Sequence, residues 1–521
     1  MNADSKKRFV YALLLLFALG FRLFIALRLP NDEPDDGRVY SQIARNVLEQ
    51  HVYSIESQAP YTPTLIRLPG YPLFVAAIYS VFGHGNNTAV RVVQAVLDTI
   101  TCALIAWVAF AWSRNRSAAM IALALAAVCP FTAIYVATIL TEVPTNFLAV
   151  AMVLTATFAF KATLRKRVLV WWFVTGLIAG VAVLFRPDSG LFAAAIGLTL
   201  MLSSLRRFRE ATLQAAIFSI AFCLVLVPWT IRNHRLFHLF QPLAPAHAEM
   251  PGEFVPRGYL LWVRTWLDDQ RYVAPALWAM DTRQIHVEDF PARAFDSKEE
   301  RDRVAALFEK YNHPDGDEAD EEQSADDQGD DSSGDDEEQP EEEPEPEEHP
   351  EPADANVEMT PEIDAGFAQI GQERVAHSRL RYYVVLPLKR AMTLWFDTHS
   401  QYYPFNGELL PLADLDHDIH QQYWLPLFAG LTGIYTLLGV IGGWLLWRSG
   451  DTKWLLMAAL LIFLRLGFFA TLENPEPRYT VEIFPFLIML GSTVGAALCC
   501  RPSSDYDAEK QRAATEGRPY S

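Results

Sequence analysis

The sequence predicts an all-α protein that crosses a membrane about ten times and carries a helical domain on the outer face. Of its 521 residues, 51% are hydrophobic. Apolar stretches of about 18 to 22 residues recur, and this length crosses about 30 Å of hydrocarbon. The formal charge of −19 comes from one segment, residues 315–354, with 22 acidic residues and no Lys or Arg. These features exclude a soluble enzyme and a nucleic-acid-binding protein.

Ten membrane spans are predicted from the apolar stretches. They cover residues 9–29, 88–112, 117–138, 142–160, 168–186, 188–205, 211–229, 423–447, 453–471 and 482–499. The first span follows Lys6, Lys7 and Arg8, as the apolar part of a signal peptide would. Its apolar run is long enough to span and no small-residue cleavage site follows it, so we expect a retained anchor.

The distribution of Lys and Arg predicts the orientation. The short loops after the second, fourth, sixth and eighth spans are basic, whereas the opposite short loops hold at most one Arg each. Because basic loops stay in the cytoplasm, both termini are expected inside, in a multi-pass protein of the cell (inner) membrane. The two long connections, residues 30–87 and 230–422, then lie on the outer face.

The predicted domain organisation follows the spans. It comprises an N-terminal membrane module (1–229) with its first outer loop (30–87), an outer-face domain (230–422), C-terminal membrane helices (423–499) and a cytoplasmic tail (500–521). Within the outer-face domain, helices are expected around 298–310 and over an interfacial segment at 362–394. The acidic insertion 315–354 is too polar to fold and is predicted to be a disordered loop.

Acidic residues occupy two outer positions. Asp35 and Asp36 precede a helical pattern at 38–50, and Glu142 lies in the short turn between the third and fourth spans. Carboxylates at a helix start either cap the helix or do chemistry at the membrane surface, and the residues alone favour neither.

Arginines accompany these acids at the outer ends of the spans. Arg67 precedes Pro69-Gly70 and a short apolar helix, so it is either part of a membrane anchor or a phosphate contact. Arg232 follows the seventh span, and Arg478 with Tyr479 lies between the ninth and tenth. Arg186, in an Arg-Pro-Asp turn, is a weaker candidate because it can pair with its own neighbour.

Arg22, Asp98 and Arg465 are charged residues that fall within predicted spans. An ionisable side chain in hydrocarbon is costly and needs a partner or a water-filled cavity. We therefore expect Asp98 to pair with Arg22 or Arg465.

A weak metal-site candidate precedes the eighth span. His417 and His420 are one helical turn apart beside three aspartates, a spacing that can hold a divalent ion. A hydrated loop leading into a membrane helix explains the same residues, so no metal or other cofactor is assigned.

Several short motifs follow one another along the chain: DDGRVYSQIARNVLEQHVYS, RLPGYPLFVAAIYSVFG, ILTE, LFRPDSG, PWTIRNHR and ENPEPRYTVEIFPFL. Taken in this order, they resemble the GT-C glycosyltransferases, and within them the bacterial branch with the lipid A aminoarabinose transferase and the protein O-mannosyltransferase-like enzymes. The resemblance implies a GT-C-like helical bundle. It also implies transfer of a sugar from a polyprenyl-phosphate donor to an outer-face acceptor hydroxyl, with inversion.

The resemblance also implies residue roles. A catalytic acid four residues before a tyrosine corresponds to Asp36, with Asp35 as the fallback, and the family's second acidic position corresponds to Glu142. A base beside an apolar span could have a raised pKa, close to the working pH. For the donor phosphate, Arg67, Arg232 and Arg478 with Tyr479 are the candidates, since arginine binds phosphate through paired hydrogen bonds.

Other readings remain open. The partners expected are membrane lipids, the lipid-linked sugar and a lipid, glycan or protein acceptor, and a divalent ion could assist at Asp36. A lipid or solute transporter, or flippase, should show inverted repeats and charges near the membrane midplane, and neither is evident. A non-catalytic scaffold of the same fold is the third alternative.

Overall fold

The computed structural model describes residues 3–29, 35–245, 249–314, 357–396 and 417–499. All regular elements in these ranges are helices. The chain forms two compact units: a membrane unit of Met1–Glu253, Leu394–Phe468 and Pro477–Ser521, and a small unit of Phe254–Thr393 and Phe469–Glu476. The acidic insertion and residues 500–521 lie outside the described residues.

The membrane unit contains most of the helices. They are α1 (Ala3–Arg28), α2 (Asp35–Glu49), α3 (Gly70–Phe82), α4 (Asn87–Ser113), α5 (Arg116–Ala127), α6 (Pro130–Ala133), α7 (Glu142–Lys161), α8 (Arg165–Phe185), α9 (Gly190–Ser203) and α10 (Phe208–Phe237). The small unit holds α11 (Arg257–Arg264), α12 (Lys298–Asn312), α13 (Pro361–His377) and most of α14 (Leu386–Phe396). The chain then continues with α15 (His417–Arg448), α16 (Thr452–Ala470) and α17 (Phe484–Cys499).

The prediction of a multi-pass helical membrane protein is confirmed. Among the described residues, seven helices are long and apolar enough to cross a membrane, and eight if one bent pair counts as a single span. The seven belong to α1, α4, α7, α8, α10, α15 and α16. Each matches a predicted span, although α10 continues to Phe237, eight residues beyond the predicted end at 229.

The other three predicted spans differ from a single long helix. The third bends by 53° where α5 ends and Pro130 begins α6, because proline cannot continue the preceding helical hydrogen bonds. The sixth is shortened by the turn Pro187–Ser189, and α9 has 14 residues. The tenth is preceded by a 3₁₀ segment, Pro477–Ile483, so α17 has 16 residues.

A buried ion pair joins α1 to α4 and to the end of α5. Arg22 Nε donates to Asp98 Oδ2 at 2.6 Å, and both side chains are almost fully buried. The same guanidinium donates to the carbonyls of Ala126 and Ala127, each at 3.0 Å. The carbonyl of Ala126 also accepts from the Cys129 N–H at 3.3 Å, so Arg22 adds a second bond there and satisfies the Ala127 carbonyl where α5 ends. The expected pairing of Asp98 with Arg22 is therefore confirmed.

Small residues allow the membrane helices to approach closely. Gly176 on α8 faces the backbone of α10, and a Cβ at this position would overlap the carbonyl of Phe218. Gly442 on α15 meets the backbone of α17 at Leu490 in the same way. Such contacts between small residues and backbone are typical of helix packing in membranes, where van der Waals contact largely drives association.

The small unit has its own aromatic core. Tyr259, Trp262 and Trp266 pack with Phe308 and Phe367, and all five are buried. Ser297 and Thr360 cap α12 and α13 with their side chains, as the helix-start rules predict. The predicted segment 362–394 is interrupted near Ser378, so α13 and α14 are separate helices.

Candidate active site

Asp36 lies in the first turn of α2 and binds two arginines. Its Oδ1 accepts a hydrogen bond from Arg67 Nη2 at 2.9 Å, and its Oδ2 accepts one from Arg478 Nη2 at 3.1 Å. The side chain of its neighbour Asp35 lies outside the described residues. Each oxygen of the Asp36 carboxylate therefore has a separate cationic partner.

Local structure positions both arginines. Arg67 lies in the irregular segment before α3, where the Tyr53 hydroxyl donates to the carbonyls of Arg67 and Leu68 at 3.1 and 3.0 Å. Arg478 lies in the 3₁₀ segment that precedes α17, and its guanidinium is 5.4 Å from the centre of the Tyr479 ring. Arg478 is 11% exposed and Arg67 26%, so Arg478 is the less hydrated counter-ion of the two.

A cavity of about 300 Å³ opens beside these residues. Its charged lining residues are Asp36, Arg67, Glu142, Arg186 and Arg478. Tyr40, Leu140 and Phe185 are among the residues that supply its less polar wall. The structure thus brings four of the predicted site residues, and the weaker candidate Arg186, to one cavity.

The electrostatics of Asp36 differ from the expectation of a raised pKa. Burial by itself would raise the pKa of this carboxyl, but the positive charges of Arg478 and Arg67 outweigh burial and hold the pKa below its ordinary value. Asp36 is therefore ionised at neutral pH. The expected rise in pKa was based on the neighbouring apolar span alone, whereas the folded protein also places two arginines beside Asp36.

Glu142, the first residue of α7, lies in a buried ion network. Arg186 Nη1 donates to Glu142 Oε1 at 2.8 Å and to Glu482 Oε1 at 3.3 Å, while Arg186 Nε donates to Asp188 Oδ2 at 3.1 Å. Arg465 lies 2.9 Å from Asp188 and 2.8 Å from Glu482. Three carboxyl groups thus share two arginines.

Part of this network has unused hydrogen-bonding capacity. Glu142 Oε2 is buried and makes no hydrogen bond with the described protein atoms, and the same holds for both side-chain polar atoms of Asn146, one turn further along α7. A buried acceptor without a partner carries a desolvation cost. Glu142 can therefore accept a hydrogen bond from a molecule in the cavity that it lines.

Two predicted phosphate-binding residues occupy other surroundings. Arg232 does not line the cavity: it donates to the carbonyl of Thr64 at 2.7 Å and stacks on Trp229, 4.7 Å from the ring centre. Tyr479 also does not line it, and its ring lies between Arg186 and Arg478, 5.3 and 5.4 Å from their guanidinium groups. Tyr479 can orient these two arginines through cation–π contacts.

Sequence reasoning missed Glu482 and the role of Arg465. Glu482 is fully buried, yet in the sequence it looks like the polar start of an apolar span. Arg465 was expected to be a candidate partner of Asp98, whereas it binds Glu482 and Asp188. The sequence signal that could have found this pairing is the number of charges within the spans, because assigning Arg22 to Asp98 requires a different acidic partner for Arg465.

The weak metal-site candidate at His417 and His420 stays a prediction. Among the described residues, no group of three or more His, Cys, Asp or Glu side chains could hold a metal ion. The side chains of His417 and His420, and the aspartates before them, lie outside the described residues.

The expected resemblance to the GT-C glycosyltransferases is confirmed by a family match. Residues 63–231, about a third of the chain, match the model of the family described as dolichyl-phosphate-mannose-protein mannosyltransferase. Arg67, Glu142, Arg186 and Arg232 lie within the matched segment, whereas Asp36 and Arg478 lie outside it. The matched family is one of glycosyltransferases. None of the curated proteins compared with the chain matches it.

Solved structures of two such enzymes are similar to the chain. Oligosaccharyltransferase AglB from Archaeoglobus fulgidus, in complex with an inhibitory peptide and a dolichol-phosphate, aligns with 11% identity and a TM-score of 0.48, covering 99% of this chain and 53% of AglB. ArnT from Cupriavidus metallidurans, bound to undecaprenyl phosphate, aligns with 13% identity and a TM-score of 0.37, covering 95% and 79%. The chain spans about half the length of AglB. At these values the likenesses say nothing about substrates.

Proposed function

We propose that the protein is a membrane glycosyltransferase that moves a sugar from a polyprenyl-phosphate donor to an acceptor hydroxyl on the outer face of the cell membrane. The observation that carries this proposal is the pairing of one carboxylate, Asp36, with two arginines beside a cavity. A base and a phosphate clamp are the two groups that such a transfer needs. The family match over residues 63–231 supports the same class of donor.

In the proposed reaction, Arg67 and Arg478 hold the phosphate of the donor. Each has a second role as a partner of Asp36, so a bound phosphate competes with Asp36 for the same positive charges. As the arginines turn toward phosphate, the Asp36 carboxylate loses part of its compensation, and its pKa rises from the depressed value. Donor binding thereby makes Asp36 a stronger base.

Bond changes then follow a single displacement. The acceptor oxygen forms a bond to the anomeric carbon and its proton passes to Asp36, while the bond from that carbon to the phosphate oxygen breaks. The electron pair of the broken bond leaves with polyprenyl phosphate, whose charge the two arginines stabilise. Attack on the face opposite the leaving group inverts the anomeric carbon, as in inverting glycosidases.

Glu142 takes a supporting role in this proposal. Its Oε1 is bound by Arg186, and its Oε2 has no described protein partner, so it can accept a hydrogen bond from a hydroxyl of the sugar or of the acceptor. Glu142 would thus orient a substrate, while Asp36 takes the proton. The acceptor is a lipid, glycan or protein hydroxyl of the cell envelope.

The test uses the full chain in lipid nanodiscs with a panel of polyprenyl-phosphate sugars. Asp36→Asn is expected to lower turnover by about 10²- to 10⁴-fold, the range for loss of a general base. Mass spectrometry would follow release of polyprenyl phosphate and transfer of the sugar. Glu49→Gln, at the far end of the same helix, is the matched control and should keep its activity.

The natural donor and acceptor can be identified by deleting the gene in its host. The lipid-linked sugar that accumulates is the donor, and the envelope component that loses a sugar is the acceptor. Wild-type turnover by the Asp36→Asn protein would remove Asp36 from the mechanism, and unchanged sugar pools after deletion would contradict the transferase itself.

A further inference from the structure

A second, larger cavity lies at the opposite end of the membrane unit from Asp36. Its volume is about 1200 Å³, and α7 connects the two cavities, since Glu142 at its start lines the first and Lys161 at its end lines the second. A helix of 20 residues is about 30 Å long. The two cavities are therefore separated by roughly the thickness of the hydrocarbon layer.

The lining of this second cavity is basic. Arg114, Lys161 and Lys453 line it against one acidic lining residue, Asp451. A neighbouring cavity of about 530 Å³ shares Phe160 and Lys453 with it and adds Arg165 and Arg207 against one acidic residue, Glu210. We call the two together the basic cleft.

Aromatic rings hold the lysines of the basic cleft in place. Trp112 and Trp454 stack with ring centres 5.7 Å apart. Lys453 Nζ lies 4.8 Å from the centre of Phe160 and 5.3 Å from that of Trp454, and Lys161 Nζ lies 5.7 Å from Trp454. Cation–π contacts of this kind restrain a lysine that would otherwise sample many rotamers.

Membrane topology explains why basic residues occur at this end of the spans, but it does not explain their placement. A topology signal needs only positive charge in a loop. Lys166 and Arg167 satisfy that need: both are exposed and neither lines the two cavities. Lys453, in contrast, lines both cavities and lies over two rings.

The backbone at Arg114 is a second sign that the basic residues of the cleft are specifically placed. Arg114 ends α4 in the left-handed conformation, with φ 54°, a position that glycine fills most readily. Its side chain lines the cleft, so a strained backbone position carries a cation there. Strain of this type persists where surrounding structure or function maintains it.

From this geometry we propose that the basic cleft is a binding site for the headgroup of an anionic phospholipid. Its phosphate would lie between Lys161 and Lys453, and its acyl chains would follow the apolar wall at Leu202 and Leu456. Basic pockets between membrane helices bind anionic headgroups in this way. A free phosphate ion would fill only a small part of about 1200 Å³. This site is separate from the donor site and does not depend on the proposed transferase activity.

The test measures lipid binding to the purified full chain in a neutral detergent. Short-chain phosphatidylglycerol, short-chain phosphatidylcholine and inorganic phosphate are titrated separately, with the midpoint of thermal unfolding and native mass spectrometry as readouts. Phosphatidylglycerol is expected to bind and stabilise, and the other two are not. Equal binding of phosphatidylcholine, or equal stabilisation by inorganic phosphate, would overturn the proposal of an anionic lipid site.

Charge variants locate the site. Lys161→Gln with Lys453→Gln should weaken phosphatidylglycerol binding about thirtyfold, from about fivefold for each lysine near a membrane surface. Lys166→Gln with Arg167→Gln removes the same charge outside the cleft and should leave binding unchanged. Equal loss in both double variants would mean that lipid binds the surface at large.

Two further variants distinguish a loss of lipid binding from a loss of folding. Lys161→Arg with Lys453→Arg keeps the charge and should keep binding. Arg114→Gln changes one exposed side chain of the cleft and should weaken binding about fivefold. Full binding by Arg114→Gln together with unchanged binding by the double glutamine variant would place the lipid elsewhere.

Discussion

Asp36 and Arg478 are 442 residues apart in the sequence and form an ion pair at 3.1 Å. Asp36 lies in the first turn of α2, and Arg478 precedes α17, the last helix of the membrane unit. The pair therefore brings distant parts of the chain together at one cavity. Arg67, from the segment before α3, is the second arginine that binds Asp36. One carboxylate holds both arginines that the proposed reaction assigns to phosphate.

Replacing Arg478 by lysine should impair the proposed transfer although the charge is kept. Arginine presents several donors in a planar fork and can bind phosphate through two hydrogen bonds, whereas lysine is a point charge. We expect Arg478→Lys to lower kcat about 10²- to 10³-fold, comparable to the loss of one electrostatic donor. Steady-state kinetics with a polyprenyl-phosphate sugar measures this. The control is Arg448→Lys, an exposed arginine at the other end of the unit, which should behave as wild type.

The pH dependence of the reaction should move when Arg67 is neutralised. Asp36 must be ionised to accept a proton, and its pKa is held below the ordinary value by Arg478 and Arg67 against the effect of burial. Arg67→Gln removes one of these charges, so the pKa of Asp36 rises. The acidic limb of the profile of kcat/KM against pH, which reports the free enzyme, should shift to higher pH. An unmoved limb would mean that another group controls it.

The same pKa direction predicts how stability depends on pH. A carboxyl whose pKa is depressed in the folded state stabilises that state above its unfolded pKa, ordinarily about 3.9 for aspartate. The contribution is lost as pH falls through the depressed folded value. Between about pH 5 and about pH 3, the unfolding temperature of the wild type should therefore fall more than that of Asp36→Asn. Parallel curves for the two proteins would contradict this linkage.

Breaking the pair of Arg22 and Asp98 should destabilise the membrane unit. Both side chains are buried, and removing one partner of a buried pair leaves an uncompensated charge, which costs about 3 to 5 kcal/mol. Asp98→Asn is expected to lower the thermal unfolding temperature strongly. The double variant Arg22→Met with Asp98→Leu should show a smaller fall in unfolding temperature, because neither buried charge remains. If the double variant is as unstable as the single one, the hydrogen bonds of Arg22 to Ala126 and Ala127 dominate.

A side chain at Gly176 should separate α8 from α10. A Cβ there overlaps the Phe218 carbonyl, and backbone cannot move away as a flexible side chain can. Gly176→Ala is expected to destabilise the protein by about 1 to 3 kcal/mol, the range for overpacking. Gly197→Ala is a matched control on α9, since nothing lies within 4 Å of a Cβ at that position. Equal unfolding temperatures for both variants would show that α8 and α10 can adjust.

The sequence predicted the long membrane helices better than the points at which helices bend or end. Long apolar runs specify helices because a chain in hydrocarbon must satisfy its hydrogen bonds internally, and seven such helices are present in the described residues. The break at Pro130 and the short α17 were missed because composition averages over a span, whereas one proline or a 3₁₀ segment ends a helix locally.

The candidate site was predictable in its residue types but not in its pairings. The order of the motifs identified four candidates that line one cavity: Asp36, Arg67, Glu142 and Arg478. The direction of the Asp36 pKa was not predictable, because it depends on an arginine 442 residues away. Arg232 was expected beside them, yet it lies against Trp229 and Tyr53. Only the folded geometry separates these arginines.

The contact of Arg22 with Asp98 and with the end of α5 fixes the register of the first helix. A large part of α1 faces outward, with only 22% of its apolar span buried in the protein, so apolar packing alone would allow the helix to slide or rotate. A shift of one turn would move the guanidinium about 5.4 Å and would break its bonds to Asp98 and to the carbonyls of Ala126 and Ala127. The first helix therefore has one correct depth in the bilayer, set by a single side chain.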